Sequence, residues 1–404
     1  MATQSYEERL VRTALRPLTT TSRAYWAVVL LLAAVVGFGV FAYARQLDQG
    51  LIVTGMRDQV MWGLYMVNFV FFIGISHAGT LISAILRVTH AGWRTPVTRM
   101  AEVITVVALM VGGIAPLIDM GRPDRVFNLI LHGRFQSPLV WDIVAIATYL
   151  TGSLVYLYLP MIPDLALMRD RLGPAASTMR RRIYATLAVG WRGTDAQKRR
   201  LQRAIGIMAV VIIPIAISVH TVVSWIFAMT LRPGWDSTIF GPYFVVGAIF
   251  SGIASIIIVM AIFRRIFHLE EYLTERHFRY LGLLLGAMLL IYAYFTLSEY
   301  VTVGYKLKVE DKQLLQLLLV GEQAPWFWGF VLTGILLPGA LILNPRTRNI
   351  RGLVVASVLV NISMWVKRWV VVVPSLKVPL MPYEFGAYHP TWVEWGITAG
   401  SFAL

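Results

Sequence analysis

The sequence predicts an all-α polytopic membrane protein with nine to ten transmembrane helices, arranged as two four-helix bundles. Three observations predict this. Apolar runs of about 20 residues recur along the chain, each long enough to cross a hydrocarbon core as one helix. Of the 404 residues, 57% are hydrophobic and 14% charged, with a mean hydropathy of +0.67, whereas soluble domains carry about 25% charged residues. The formal net charge of +15 comes largely from Lys and Arg gathered in alternate connections, which is the signature of cytoplasmic loops and an anionic lipid surface rather than of a nucleic-acid partner.

The elements follow in order. Residues 1–24 form a basic N-terminus holding Arg9, Arg12, Arg16 and Arg23. No cleavable signal precedes the first apolar run, so the N-terminus is placed in the cytoplasm. Span one covers Tyr25 to Tyr43. Span two, Met61 to Leu86, delivers the basic loop of Arg87, Arg94 and Arg99. Span three, Ala101 to Met120, leads to an outer loop from Gly121 to Pro138, and span four runs from Leu139 to Pro160, closing the first transmembrane block, 25–160. The segment 161–203 is basic and cytoplasmic, with ten Lys or Arg between Ile162 and Arg203, and suits one or two interfacial helices. The second block, 204–373, holds span five (Ala204 to Met229), span six (Tyr243 to Phe263) and an amphipathic inner connection. Span seven (Leu281 to Val303), a polar outer stretch from Gly304 to Ala324, span eight (Trp326 to Leu343) and span nine (Leu353 to Val373) complete it. Residues 374–404 form an outer loop and the start of a tenth helix. The 15 residues from Pro390 to Leu404 are too few to cross about 30 Å at 1.5 Å per residue, so a truncated C-terminus is expected. No internal repeat is evident, but spans two to five and six to nine suit paired bundles.

An ionisable side chain within a span is costly and by default marks a functional site. His77 stands near the middle of span two. By sequence depth, Asp119, Arg122, Asp142, His220, Glu299, Lys367 and Arg368 lie near the outer face, and His77, Glu102 and Asp164 toward the middle or inner half. The outer set mixes acids and bases, with ion pairs of Asp142 with Lys367 or Arg368 expected. It suits a polar head group arriving from the lipid and releasing protons, and the inner set suits a proton relay. Each residue also has a structural reading: His77 and His220 as inter-helix hydrogen-bonding groups, Glu102 at a helix N-terminus, Asp119 in a turn, Asp164 as a cap, and Lys367 and Arg368 snorkelling. Gly74, Gly79, Gly247 and Gly252 suit close helix contacts. With no cysteine, the chain holds no Fe–S cluster, covalent haem or disulfide. A bis-histidine haem needs paired rings at matched depth, and the depths of His77 and His220 are read as different.

Several stretches resemble a known family. Ser76-His77-Ala78-Gly79-Thr80, Trp93-Arg94, Arg99-Met100-Ala101-Glu102, Gly121-Arg122-Pro123 and Ser137-Pro138-Leu139-Val140-Trp141-Asp142 are similar to NrfD/PsrC-type integral membrane subunits. So are Ile162-Pro163-Asp164-Leu165, Ser218 to Ser224 around His220, Pro233-Gly234-Trp235 and Pro390 to Trp395. The closest likeness is to ActC, or ActF, of bacterial alternative complex III. The resemblance implies a ten-span subunit of a multi-subunit quinol:electron-acceptor oxidoreductase in the bacterial inner membrane, with quinol or menaquinol as substrate and no covalent or metal cofactor of its own. It implies an iron–sulfur subunit on the outer face, cytochrome c subunits and a second NrfD-like membrane subunit as partners. Carried onto this chain, it assigns His77, Asp142 and His220 to catalysis, with Asp119 and Arg122 beside them in quinol binding. Glu102, Asp164, Glu299, Lys367 and Arg368 become a proton path. A cofactor-free scaffold or proton-conducting subunit is the alternative. A secondary transporter is disfavoured, because matched helix breaks in two repeats are not evident.

Overall fold

A computed structural model describes residues 21–171, 177–381 and 383–404, with the side chain of Ala78 left aside. Most of the basic N-terminus, Arg9, Arg12 and Arg16 included, lies outside the described residues. Within them the fold is helical, with no strand. Among the described residues, nine helices are long and apolar enough to cross a membrane. They are α1 (Arg23–Gln49), α2 (Leu64–Val88), α3 (Thr95–Asp119), α4 (Pro138–Arg171), α6 (Asp195–Ala228), α7 (Phe240–Ile266), α8 (Glu275–Lys306), α10 (Ala324–Leu343, with a π turn at Val331–Leu336) and α11 (Ile350–Lys377). Shorter helices accompany them, among them α5 (Thr178–Leu187), α9 (Val309–Leu319) and α12 (Trp392–Ala403). The chain is a multi-pass integral membrane protein.

Two closed rings of neighbours form the expected bundles. In the first, α2 packs on α3, α3 on α4, α4 on α6 and α6 back on α2. In the second, α7 packs on α8, α8 on α10, α10 on α11 and α11 back on α7. The rings join where α2 lies against α7 and α11 and where α6 lies against α7, and α2 is the most deeply enclosed span. Small residues permit this: a methyl group at Gly79 would overlap the Ala101 carbonyl of α3, so only glycine lets the two backbones approach as they do. Outside the rings, α12 packs on α1, with a Cβ at Gly39 falling 2.9 Å from the Gly400 Cα.

The connections alternate between two faces. One, the loop face, gathers residues 50–63, 120–137, 229–239, 307–323 and 383–391. The other, the arginine face, gathers 89–94, 177–194, 267–274 and 344–349. The loop face is stitched by Glu394, which is fully buried. It accepts from the Gly55 N–H at 2.6 Å, the Thr391 N–H at 3.0 Å and the Tyr388 hydroxyl at 2.5 Å, and that hydroxyl in turn accepts from the Leu64 N–H at 2.8 Å.

Several sequence boundaries move. Span four does not stop at Pro160: α4 continues through Pro160 and Pro163 to Arg171, because membrane helices tolerate proline where neighbours resupply polar partners, here Arg99, which reaches the Pro160 carbonyl. The Thr194 hydroxyl starts α6 at Asp195, so much of the basic segment belongs to spans. Glu102 is not at a helix start, since α3 begins at Thr95 with Pro96 in its first turn. The polar stretch before span eight contains α9, whose Leu314, Leu315 and Leu318 are buried.

Candidate functional site

The core of the first bundle is a polar column in apolar surroundings. His77, midway along α2, and His220, on α6, are both fully enclosed. Their rings touch, with centroids 4.4 Å apart and planes inclined by 54°. This corrects the sequence reading of different depths: the two rings meet across the contact between α2 and α6.

The two histidines differ in their free capacity. His77 Nδ1 lies 2.7 Å from the Ile73 carbonyl and Nε2 lies 2.6 Å from the Ala216 carbonyl. A neutral imidazole donates from one nitrogen only, so one of these contacts is completed only when the ring carries a second proton. His220 has no hydrogen-bond partner at either nitrogen. It sits between His77 and Phe244, whose ring centroid is 6.0 Å away. Buried groups without partners are rare and call for an explanation.

Asp142 is the second such group. It is buried on α4, and its Oδ1 has no partner. It forms no ion pair with Lys367 or Arg368, which belong to the second bundle. On α4 the buried positions Asp142, Tyr149, Ser153 and Tyr156 share one face. Tyr149 stacks on His77 at 4.9 Å and donates to the Ser76 carbonyl at 3.1 Å. Asp142 therefore lies two turns, about 10 Å, loopward of Tyr149 on the face that meets the histidines.

Below them, Thr105 donates to the Ser76 carbonyl and accepts from the Thr80 N–H, both at 2.7 Å. Ser83 donates to Glu102 at 2.7 Å and lies 3.3 Å from the Tyr156 hydroxyl, leaving the other Glu102 oxygen unpartnered. Asp164 pairs with Arg99 at 3.3 Å at the arginine face, where it is half exposed, so it is an ion-pair partner rather than a cap.

In the second bundle Lys367 is buried, donates to the Tyr300 hydroxyl at 2.9 Å, and lies over the rings of Tyr243, Tyr300 and Phe330 at 5.2, 4.9 and 5.2 Å. Glu299 is 5% exposed with one unpartnered oxygen. Arg368 places its guanidinium 5.2 Å over Phe244, the ring that also faces His220. Lys367 and Arg368 do not snorkel; both are buried, Lys367 against three aromatic faces and Arg368 against that of Phe244, contacts that stabilise a desolvated cation by about 2 kcal/mol or more.

Two expected members stand apart from this column. Arg122 is exposed and pairs with Asp124 at 2.9 Å, which lifts the Arg122 pKa and lowers that of Asp124. Asp119 has one buried, unpartnered oxygen beside α1, where Gln46 holds the neighbouring Ile118 carbonyl at 2.8 Å and the Tyr65 hydroxyl at 2.6 Å. The sequence reading, confined to charged groups, passed over Tyr149, Tyr156, Tyr243, Tyr300, Ser83 and Thr105. The signal for part of this set was available: Asp142, Tyr149, Ser153 and Tyr156 recur at helical spacing within an apolar run.

Comparison with known proteins places this architecture among others. Residues 52–379 match a family model described as polysulphide reductase, NrfD. A Halobacterium salinarum protein, provisionally named as a membrane subunit of dimethyl sulfoxide reductase, is 30% identical over 328 residues, 80% of this chain and 70% of that protein. A selenate reductase subunit of Mesobacillus selenatarsenatis is 24% identical, covering 95% of this chain and 91% of that one. The Hdr-like menaquinol oxidoreductase integral membrane subunit of Archaeoglobus fulgidus is 23% identical, covering 94% and 90%.

Proposed function

The chain belongs to the polysulphide reductase NrfD family, and on that premise we propose that it is the quinol-binding membrane subunit of a multi-subunit redox enzyme. The supporting observation is that His220 and Asp142 carry buried, unspent polar atoms on one side of the same bundle. One relative is named as a menaquinol oxidoreductase subunit, which makes menaquinol the substrate considered. The loop face is outermost, because the opposite face carries the arginine-rich segments, in a bacterial inner membrane.

In this reading the head group enters from the lipid between α4 and α6. One hydroxyl faces His220 and the other faces Asp142. Oxidation to the quinone releases two protons and two electrons. His220 and Asp142 each take one of the two protons as general bases, and His77, whose two nitrogens face the Ile73 and Ala216 carbonyls, backs the His220 ring and holds it in place. The electrons pass to an iron–sulfur partner docked on the loop face, and onward to cytochrome c subunits. The membrane part also includes a second NrfD-like subunit. Two side routes conduct protons: Glu102 with Asp164 toward the arginine face, and Arg368, Lys367 and Glu299 through the second bundle.

The test is quinol oxidation by the purified complex carrying Asp142→Asn or His220→Gln. Each variant is expected to assemble and to lose turnover by roughly 10²-fold, the scale of general-base loss. Undiminished turnover in both removes these residues from the site.

A further inference from the structure

The second bundle contains a small cavity of about 30 Å³, room for about two water molecules. Glu299 and Lys367 line it from the core, Gly234 and Trp235 from the α6–α7 loop, and Leu314 and Leu318 from α9. The unpartnered oxygen of Glu299 belongs to this lining residue. The cavity wall is mainly apolar, and the unspent Glu299 carboxylate is the group in it that calls for a water partner.

The way out is short. The Ser237 hydroxyl lies beside the Glu299 carboxylate. The next residue, Asp236, is half exposed and pairs with Lys308 at 2.7 Å. Asp311, the third residue of α9, is 4% exposed. It faces the Gly234 N–H and feels the charges of Asp236 and Lys308. Thus α9 is fastened at one end by Asp311 and covers the cavity with its leucines farther along.

We propose that Ser237, Asp236 and Asp311 form the port through which the buried Glu299–Lys367 pair exchanges protons with water at the loop face, and that α9 is its lid. This rests on the second-bundle proton route above and adds its outlet. A proton leaving the Glu299 carboxyl passes to the Ser237 hydroxyl beside it, and that hydroxyl gives up its own proton to the Asp236 or Asp311 carboxylate. No bond other than O–H is made or broken. Lys308 pairs with Asp236 at 2.7 Å and holds that carboxylate at the loop surface.

The experiment uses the whole complex in proteoliposomes, with a pH indicator in the compartment facing the loops and valinomycin present. Protons appearing per quinol oxidised are counted for the parent, for Asp236→Asn/Asp311→Asn, and for Ser237→Ala, a change that leaves the fold of the loop intact. The parent is expected to release more protons than the two from the quinol itself. Both variants are expected to release that excess roughly tenfold more slowly, while quinol oxidation with an uncoupler stays at the parent rate. An unchanged excess in both variants overturns the port. A parent with no excess overturns the proton-conduction reading on which the port rests.

Discussion

The Tyr388 hydroxyl shows how much a single atom carries at the loop face. It donates to Glu394 and accepts from the Leu64 N–H, so it ties the start of α2 to the start of α12. Burial and the adjacent Glu394 carboxylate push its pKa up, and it remains a donor at any physiological pH. Tyr388→Phe strands a buried carboxylate oxygen and a backbone donor, at a cost of about 1–3 kcal/mol. A lower thermal-unfolding midpoint of the purified complex is the expected outcome, with quinol oxidation retained at low temperature; an unchanged midpoint removes this tie. At the same scale, the histidine pair gains from the structure a division of labour invisible in the chain. Both residues are single histidines on apolar helices, and only the carbonyls around His77 set them apart.

Among the elements, α2 and α9 make opposite demands. The fit of α2 against α3 rests on Gly79, beside the Ala101 carbonyl and the Thr105 hydroxyl. Gly79→Val forces the helices apart and breaks the Thr80–Thr105 hydrogen bond beneath the histidines, so loss of assembled complex is expected, measured as the yield of intact protein after detergent extraction. Conversely, α9 is held at its start by a titratable group, Asp311. Desolvation and the nearby Asp236 raise the Asp311 pKa, against the opposing pull of Lys308 and the Gly234 N–H. A carboxyl with a raised folded-state pKa contributes stability that is complete below its unfolded value and is lost as pH rises through the folded value. Amide exchange across Val309–Leu319, corrected for its intrinsic pH dependence, is therefore expected to speed up as pH rises through the Asp311 titration, and Asp311→Asn is expected to flatten that trend.

Across the whole molecule, the nine spans and their two rings were legible in the sequence because length, hydropathy and charge asymmetry are one-dimensional signals. The column through the first bundle was legible in part. His77, Asp142, His220 and Glu102 announced themselves by the cost of burying them. Their grouping did not, because depth counted from uncertain helix ends displaced His220 from His77, and because charge-matching suggested pairs of Asp142 with Lys367 or Arg368 that two separate bundles keep apart. Arg122 looked like a site residue by its neighbours in sequence, yet the turn after α3 sends it to Asp124 at the surface. Hydroxyl groups escaped notice because Ser, Thr and Tyr are unremarkable in a membrane helix until the fold aligns them.

The proposed location of the head group is the first bundle, between α4 and α6, against His220 and Asp142. A cryo-EM map of the purified complex with a bound quinone-site inhibitor tests that most directly. The account predicts head-group density within hydrogen-bonding distance of His220 or Asp142, closed off below by His77 and Tyr149. Head-group density elsewhere, with the His220 and Asp142 side chains filled only by neighbouring protein, contradicts it.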